Sequence, residues 1–304
     1  MSDRLEVVGG VSVRFGPVVI RFDAVEPDVR FILRPPHTAF VVPDGVPADC
    51  TVTCHLSPPE RLSGEPSFAP EEGDWELRRD PRGGDEMTYL ALMNDGSRTP
   101  RLGIRIAPDF RSAEVRLRPR EESDRGIPID FPLDEYLATR LLGRRGDIPL
   151  HACLVAEGED GFIFAGHSGA GKSTIAALAE SAGAEVLSDD RTILEIDGDI
   201  VRGWGTPWHG SYKRGNPRSA VVRGVFLLVQ DTMNEVRPLS QAAAFGELFV
   251  RTVQPTIVSS EVEKLVDSLE RIVGMVPMAT LHFRPTVEAY LASRKSVATL
   301  QPAG

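Results

Sequence analysis

The stretch Gly166-His167-Ser168-Gly169-Ala170-Gly171-Lys172-Ser173 fits the pattern G-x-x-x-x-G-K-[ST]. It lies between an apolar run, Phe162-Ile163-Phe164-Ala165, and a helix-like run from Thr174 to Ala179. Strand, glycine-rich turn and helix in that order commit this part of the chain to an α/β sheet with a phosphate-sized loop at one strand end. A phosphate tail presents oxygens on every side, and glycines let backbone N–H groups close around it where a Cβ would collide. Lys172 then faces the β- and γ-phosphates, the Ser173 hydroxyl can hold Mg²⁺, and the helix aims the partial positive charge of its N-terminus at the anion. Residues Gly166, His167, Ser168, Gly169, Ala170, Gly171, Lys172, Ser173 and Thr174 are therefore expected to bind a nucleoside triphosphate together with Mg²⁺.

The 304 residues, 41% of them hydrophobic, suffice for two ordinary domains or one large one, with a real core. Forty-four acidic side chains against 34 Lys and Arg leave a net charge of −10. That disfavours a broad nucleic-acid or anionic-membrane surface, so phosphate contacts must come from local basic clusters. Cys50, Cys54 and Cys153 cannot all pair and lack the His or Cys partners of a zinc site, so they read as reduced core thiols. Met1-Ser2-Asp3-Arg4 does not open a signal peptide, and no apolar run approaches the roughly 20 residues a bilayer needs, so a soluble cytoplasmic protein is expected. A homo-oligomer is compatible with this composition.

Two regions differ in pattern. From residue 5 to about 120, short β-rich segments alternate with Pro, Gly and Asp breaks: Val11–Phe15, Val18–Phe22, Arg30–Leu33, Thr88–Leu92 and Ala113–Leu117. That spacing predicts a mostly antiparallel β region, with Ser57 to Glu86 as long surface loops. A charged link, residues 118–125, leads to Pro132–Leu142, whose apolar positions 133, 136, 137 and 141 suit an amphipathic helix. The boundary falls in this link, giving a β-rich domain over 1–125 and a P-loop domain over 126–304. In the second region, Gly183 should end the helix after the loop, before a strand Glu185–Ser188. Ser260 and Glu263 read as a capping box for a helix with an apolar stripe of Val262, Leu265, Val266, Leu269, Ile272 and Val273, which belongs to a core rather than a site.

Strand Glu185–Ser188 ends in Asp189-Asp190, one helix beyond the loop. Strand ends of an open α/β sheet share one ligand crevice, so both carboxylates can reach the γ-phosphate. One of the two can take part in the Mg²⁺ shell while the other accepts a proton from a hydroxyl nucleophile. His151 begins the strand before the loop and can lie beside the same phosphates, although a lone histidine between Leu150 and Ala152 also suits a satisfied core position. Residues 203–218 bring together glycines, Trp204, Trp208 and the cations Lys213, Arg214 and Arg218, with His209 among them. This composition suits either a mobile loop that closes on substrate or a solvated basic turn. The chain has neither a Leu-Ser-Gly-Gly-Gln segment nor an Asn-Lys-x-Asp segment, which counts against a transporter ATPase and a standard GTPase.

The run from His151 through the loop to Ser188-Asp189-Asp190 resembles the catalytic domain of HPr kinase/phosphorylase, and the intervals from His151 to Lys172 and from Lys172 to Asp190 agree with that family. The resemblance implies the fold shared with phosphoenolpyruvate carboxykinase. It further implies phosphate binding by Lys172, proton transfer by Asp190, an active-site place for His151 and a Mg²⁺ role for Ser173. Gly205-Thr206-Pro207-Trp208-His209-Gly210 and the β-rich front half look closer to the HPr-kinase-related proteins of peptide-modification gene clusters. The Glu-Ile-Arg-Gly-Leu-Gly signature of the carbon-control enzyme is replaced by Val201-Arg202-Gly203-Trp204-Gly205, so its second Mg²⁺-binding Glu has no match. The reading is an ATP- and Mg²⁺-dependent kinase acting on a serine-type hydroxyl of a protein or peptide, with Asp190 as base and Ser173 with Asp189 near the metal. A nucleotide-gated peptide- or partner-binding module and a carboxykinase-like enzyme on a small acid are the alternatives.

Overall fold

The computed structural model describes residues 4–60, 65–69, 74–79, 84–92, 98–121, 123–253 and 259–302. The chain divides into two compact units, Met1–Arg14 with Val18–Ala138, and Phe15–Pro17 with Thr139–Gly304. Both are built around sheets, and the chain as a whole is mixed α/β.

The first unit contains β1 (Leu5–Val8), β2 (Gly10–Phe15), β3 (Val18–Ala24), β4 (Arg30–Leu33), β5 (Cys50–His55), β6 (Trp75–Arg79), β7 (Asp85–Leu92), β8 (Arg98–Ile106), β9 (Ser112–Leu117) and β10 (Gly126–Pro128). A three-stranded sheet runs β1-β4-β10 and a seven-stranded one β2-β3-β5-β9-β8-β7-β6. Period-two patterning sets the registers: Cys50, Val52 and Cys54 of β5 point inward, as do Ala113, Val115 and Leu117 of β9, while Thr51 and Thr53 face solvent. All five strand segments expected here are strands, and most of the described pairings are antiparallel. Within the seven-stranded sheet β3, β5 and β9 pair in parallel at the centre. One expectation fails, because the Ser57–Glu86 stretch contributes β6 and the start of β7, which pair antiparallel from Trp75 with Tyr89 to Arg79 with Asp85. Leu77 and Met87 supply the buried face that this Gly- and Glu-rich composition disguised.

The second half of the chain contains α1 (Leu133–Arg145), β11 (Ile148–Glu157), β12 (Asp160–Ala165), α2 (Lys172–Ser181), β13 (Glu185–Ser188), β14 (Arg191–Asp197), β15 (Ile200–Trp204), β16 (Ser219–Gln230), β17 (Glu235–Pro238), α3 (Gln241–Phe249), α4 (Ser259–Met275), β18 (Met278–Phe283) and α5 (Val287–Ser296). The unit boundary falls within α1. The sheet runs β13-β11-β12-β16-β18-β17, with β12, β16 and β18 parallel. The β14–β15 hairpin spans from the first half of β11 to the first half of β16.

Alternation along each strand feeds two apolar layers. Leu150, Ala152 and Leu154 of β11 and Ile163 of β12 face Leu265, Leu269, Ile272 and Val273 of α4. Cys153, Val155 and Phe164 face the opposite way, onto Ile175, Ala176 and Ala179 of α2 and Ala289 and Tyr290 of α5. Helices thus cover both faces, as parallel strands require. The α4 stripe is core, while the side chain of Ser260 lies outside the described residues. Arg140 of α1 makes a buried bidentate pair with Glu261 in the first turn of α4, at 2.6 and 2.9 Å. All three cysteines are free and buried. Burial pushes the Cys50 thiol up to about 12 and raises Cys54 and Cys153 as well, so none is a ready nucleophile. Among the described residues no helix is long and apolar enough to cross a membrane.

Candidate active site

β12 ends at Ala165, residues 166–171 turn, and α2 begins at Lys172, so strand, loop and helix follow one another as the sequence pattern requires. The turn depends on backbone that side chains rarely adopt: φ is +79° at Gly169 and +109° at Gly171. A Cβ on Gly171 would also lie 2.6 Å from Cζ of Phe283, at the end of the parallel strand β18. From the end of β16, Gln230 donates to the Gly169 carbonyl at 2.8 Å, so two neighbouring strand ends hold the loop open. Lys172 is buried and folds back over the turn, its ammonium donating to the carbonyls of Gly166 at 3.0 Å and His167 at 3.4 Å. Burial lowers its pKa, with nearby Asp190 opposing and Arg251 reinforcing the shift. Gly183, at φ +93°, follows α2 in the left-handed conformation expected of a cap.

β13 pairs antiparallel with β11, which pairs antiparallel with β12, so Asp189 and Asp190 emerge at the same end of the sheet as the glycine-rich loop. Asp190 Oδ1 lies 3.0 Å from Nε2 of His151, which enters from β11, and Oδ2 lies 3.9 Å from Arg191. Burial pushes the Asp190 carboxyl up, but the His151 hydrogen bond and the charges of His151, Arg191 and Lys172 outweigh it and hold the pKa below the ordinary value. His151 is no satisfied core residue, since its side chain is 36% exposed and its polar contact is this carboxylate.

Asp189 is 1% exposed and faces the 205–218 segment instead. Its Oδ1 accepts from the Gly210 amide at 3.1 Å and its Oδ2 from the Tyr212 amide at 2.9 Å. Any Mg²⁺ ion bound by Asp189 has to share it with these amides. Ser173 Oγ lies 2.9 Å from Ser211 Oγ of the same segment. A Cβ built on Gly210 would be 3.4 Å from Asp190 Oδ1, so residues 210–212 cross directly in front of the two aspartates and the loop.

The cations of this segment have no acidic neighbour close in sequence, yet two of them find carboxylates on other elements. Arg214 donates to Glu180 of α2 at 3.1 and 3.4 Å and lies 5.3 Å from the centroid of the Tyr212 ring, whose hydroxyl donates to the same carboxylate. Arg218 pairs with Glu185 at 3.3 Å and donates to the Gly158 carbonyl. Trp208 is buried, and half-buried Trp204 donates through Nε1 to Glu195 at 2.8 Å. His209 and Lys213 are exposed, Lys213 in the left-handed conformation at φ +56°. The partners come from α2, β13 and β14, which composition alone could not pair.

Four further side chains belong to this end of the sheet: Gln230, Phe283, Ser211 and Arg251. The Arg251 carbonyl accepts from the His151 amide at 2.9 Å, its guanidinium donates to the Glu247 carbonyl at 2.6 Å, and its buried Nε has no partner among the described residues. No local pattern marks these four, because each arrives on an element remote in sequence from the loop.

The residues fit ATP and Mg²⁺ in kind. The glycine turn leaves the volume a Cβ would fill, and a lysine and a helix N-terminus face it. One hydroxyl and two carboxylates flank it, which suits an ion that keeps phosphate and water oxygens rather than a closed protein cage. Among the described residues no group of three or more His, Cys, Asp or Glu forms such a cage. No family model and no curated protein matches the chain. Among solved structures, the HPr(Ser) kinase/phosphatase from Coxiella burnetii is similar at 12% identity over 50% of this chain and 97% of that one, with a TM-score of 0.31, too slight a likeness to carry fold or function.

Proposed function

We propose that the protein is an ATP- and Mg²⁺-dependent kinase that transfers the γ-phosphate to a serine-type hydroxyl of a protein or peptide. The observation that carries this reading is the meeting, at one end of one sheet, of the Lys172 loop with a carboxylate already oriented by a histidine, Asp190 on His151. A nucleotide-binding loop alone needs no such pair. Lys172 and the amides of residues 166–173 bind and neutralise the phosphates, and Ser173 with Asp189 would hold the metal. Mg²⁺ held there would supply neutralisation of the phosphate charge. Asp190 stays ionised and so can accept the proton of the acceptor hydroxyl, while His151 fixes which carboxylate oxygen faces it. An acceptor of low proton affinity is adequate where proton transfer is late and positioning dominates. The sequence resemblance to the HPr-kinase-related proteins points the same way.

A second reading draws on the contacts of residues 210–214 with Ser173, Asp189 and Glu180. Nucleotide at the loop would compete for Ser173 and move this segment, which is how a nucleotide-gated binding module would work without phosphoryl transfer. Incubation with γ-labelled ATP, Mg²⁺ and serine-containing peptides or small proteins separates the two. Label on an acceptor serine supports the kinase, whereas ATP-dependent partner binding with no label on any protein supports the module.

A further inference from the structure

We propose that the first unit carries a binding site for a carboxylate-rich peptide segment, in the cavity to which Arg101 and Arg120 bring guanidinium groups that hydrogen-bond to none of the described residues. The cavity measures about 510 Å³ and is walled by β4 and β10 on one side and by β7, β8 and β9 on the other. Its volume falls in the range of natural ligand sites. Four arginines line it: Arg34, Arg101, Arg118 and Arg120. Two are engaged, Arg34 with Asp130 at 3.5 Å and Arg118 with the Pro100 carbonyl at 3.2 Å. The side chains of Arg101 and Arg120 make no hydrogen bond or close ion pair with any described residue.

These two cations also act on each other. Burial first, and then the charge of Arg120, disfavour the charged form of half-buried Arg101. Asp124 and Tyr89 oppose this shift without cancelling it, and Asp130 feels the charge of Arg120, so an anion between the two guanidiniums would relieve the repulsion that is left. Guanidinium forks match carboxylates in bidentate geometry. Ile32, Leu102 and Leu117 give the same cavity an apolar wall that suits the methylene stems and apolar neighbours of acidic residues. Asp124 and Asp130 stand at the cavity as well and would oppose a compact dianion more than separate single charges. In a chain of net charge −10, an acidic segment is repelled from most of the surface, so this arginine-lined cavity also steers it. The proposal is independent of the reading of the glycine-rich loop.

The test uses the full chain and fluorescence anisotropy of a dye-labelled peptide of alternating Glu and Leu, beside its Gln–Leu counterpart, with inorganic phosphate as competitor. The Glu peptide should bind with an affinity that falls as salt is added, and the Gln peptide and phosphate should neither bind nor compete. Arg101→Gln and Arg120→Gln should each weaken binding by about tenfold while leaving the melting temperature unchanged, because neither side chain holds another. Arg105→Gln, an arginine of the same strand outside the cavity lining, serves as the control and should bind as the parent does. Equal binding of both peptides, unchanged binding in the two cavity variants, no binding at all, or displacement by phosphate would each overturn the assignment.

Discussion

Residues 166–171 take their shape mainly from neighbours in sequence, whereas residues 205–218, which cross in front of them, take theirs from side chains far along the chain. The first segment turns on its own glycines between the end of β12 and the start of α2, with Gln230 and Phe283 bracing it from two strand ends. The second is pinned by the Asp189 carboxylate, by Glu180 of α2, by Glu185 of β13 and by a hydroxyl contact to Ser173. A locally coded loop tolerates little change at its own residues. A remotely pinned one should answer to substitutions elsewhere, by small increments and mostly in mobility.

The largest expected effect lies where the two segments meet. Asp190→Asn keeps the shape of the side chain but cannot accept a proton, so it should lower turnover by about 10²- to 10⁴-fold with ATP affinity little changed. Wild-type turnover in this variant would remove Asp190 from the chemistry. Within the first segment, Gly171→Ala should destabilise the protein by about 1–3 kcal/mol and weaken nucleotide binding, because it combines a φ of +109° with a collision against Phe283. Gly169→Ala, at φ +79° with open space around it, should cost less. Equal melting temperatures for the two variants would show that the Phe283 contact does not shape the turn.

The Asp190 pair predicts a pH signature. The folded carboxyl is held below its ordinary value, so the ionised form persists as pH falls and is lost only below the usual carboxylate range. His151→Ala removes the largest influence opposing burial, so the acidic limb of the kcat profile should move to higher pH. A limb that stays in place would mean that His151 does not set the protonation of Asp190. The smallest effect belongs to the remote pins. Glu180→Gln should change stability by no more than about 0.5 kcal/mol, since its pairs are exposed, yet should raise hydrogen exchange across residues 210–214. Unchanged exchange there would erase the distinction between the two segments.

The contrast also marks what could be read from the sequence. The glycine turn, α2, the Gly183 cap and β13 were legible because each rests on contacts within a few residues. So were β2, β3, β4, β7 and β9, half of the ten strands described in the first unit, whose inward positions recur with period two. The parallel centre β3-β5-β9 was not, because alternation fixes which face is buried and says nothing of strand direction. β6 was hidden by Glu and Arg on its outward positions. At the site, the pairing of His151 with Asp190 could be anticipated from strand ends. The carboxylates that hold Arg214 and Arg218, and the arrival of Arg251 and Ser211, depend on long-range packing that no local pattern records.

The central claim is that the Lys172 loop binds the triphosphate of ATP. Titration calorimetry of Mg²⁺-ATP into the wild type and Lys172→Ala tests it most directly, since backbone amides alone cannot replace a buried ammonium at the β- and γ-phosphates. The account predicts saturable binding to the wild type and none detectable with the folded variant. Equal affinity for the two proteins would contradict it.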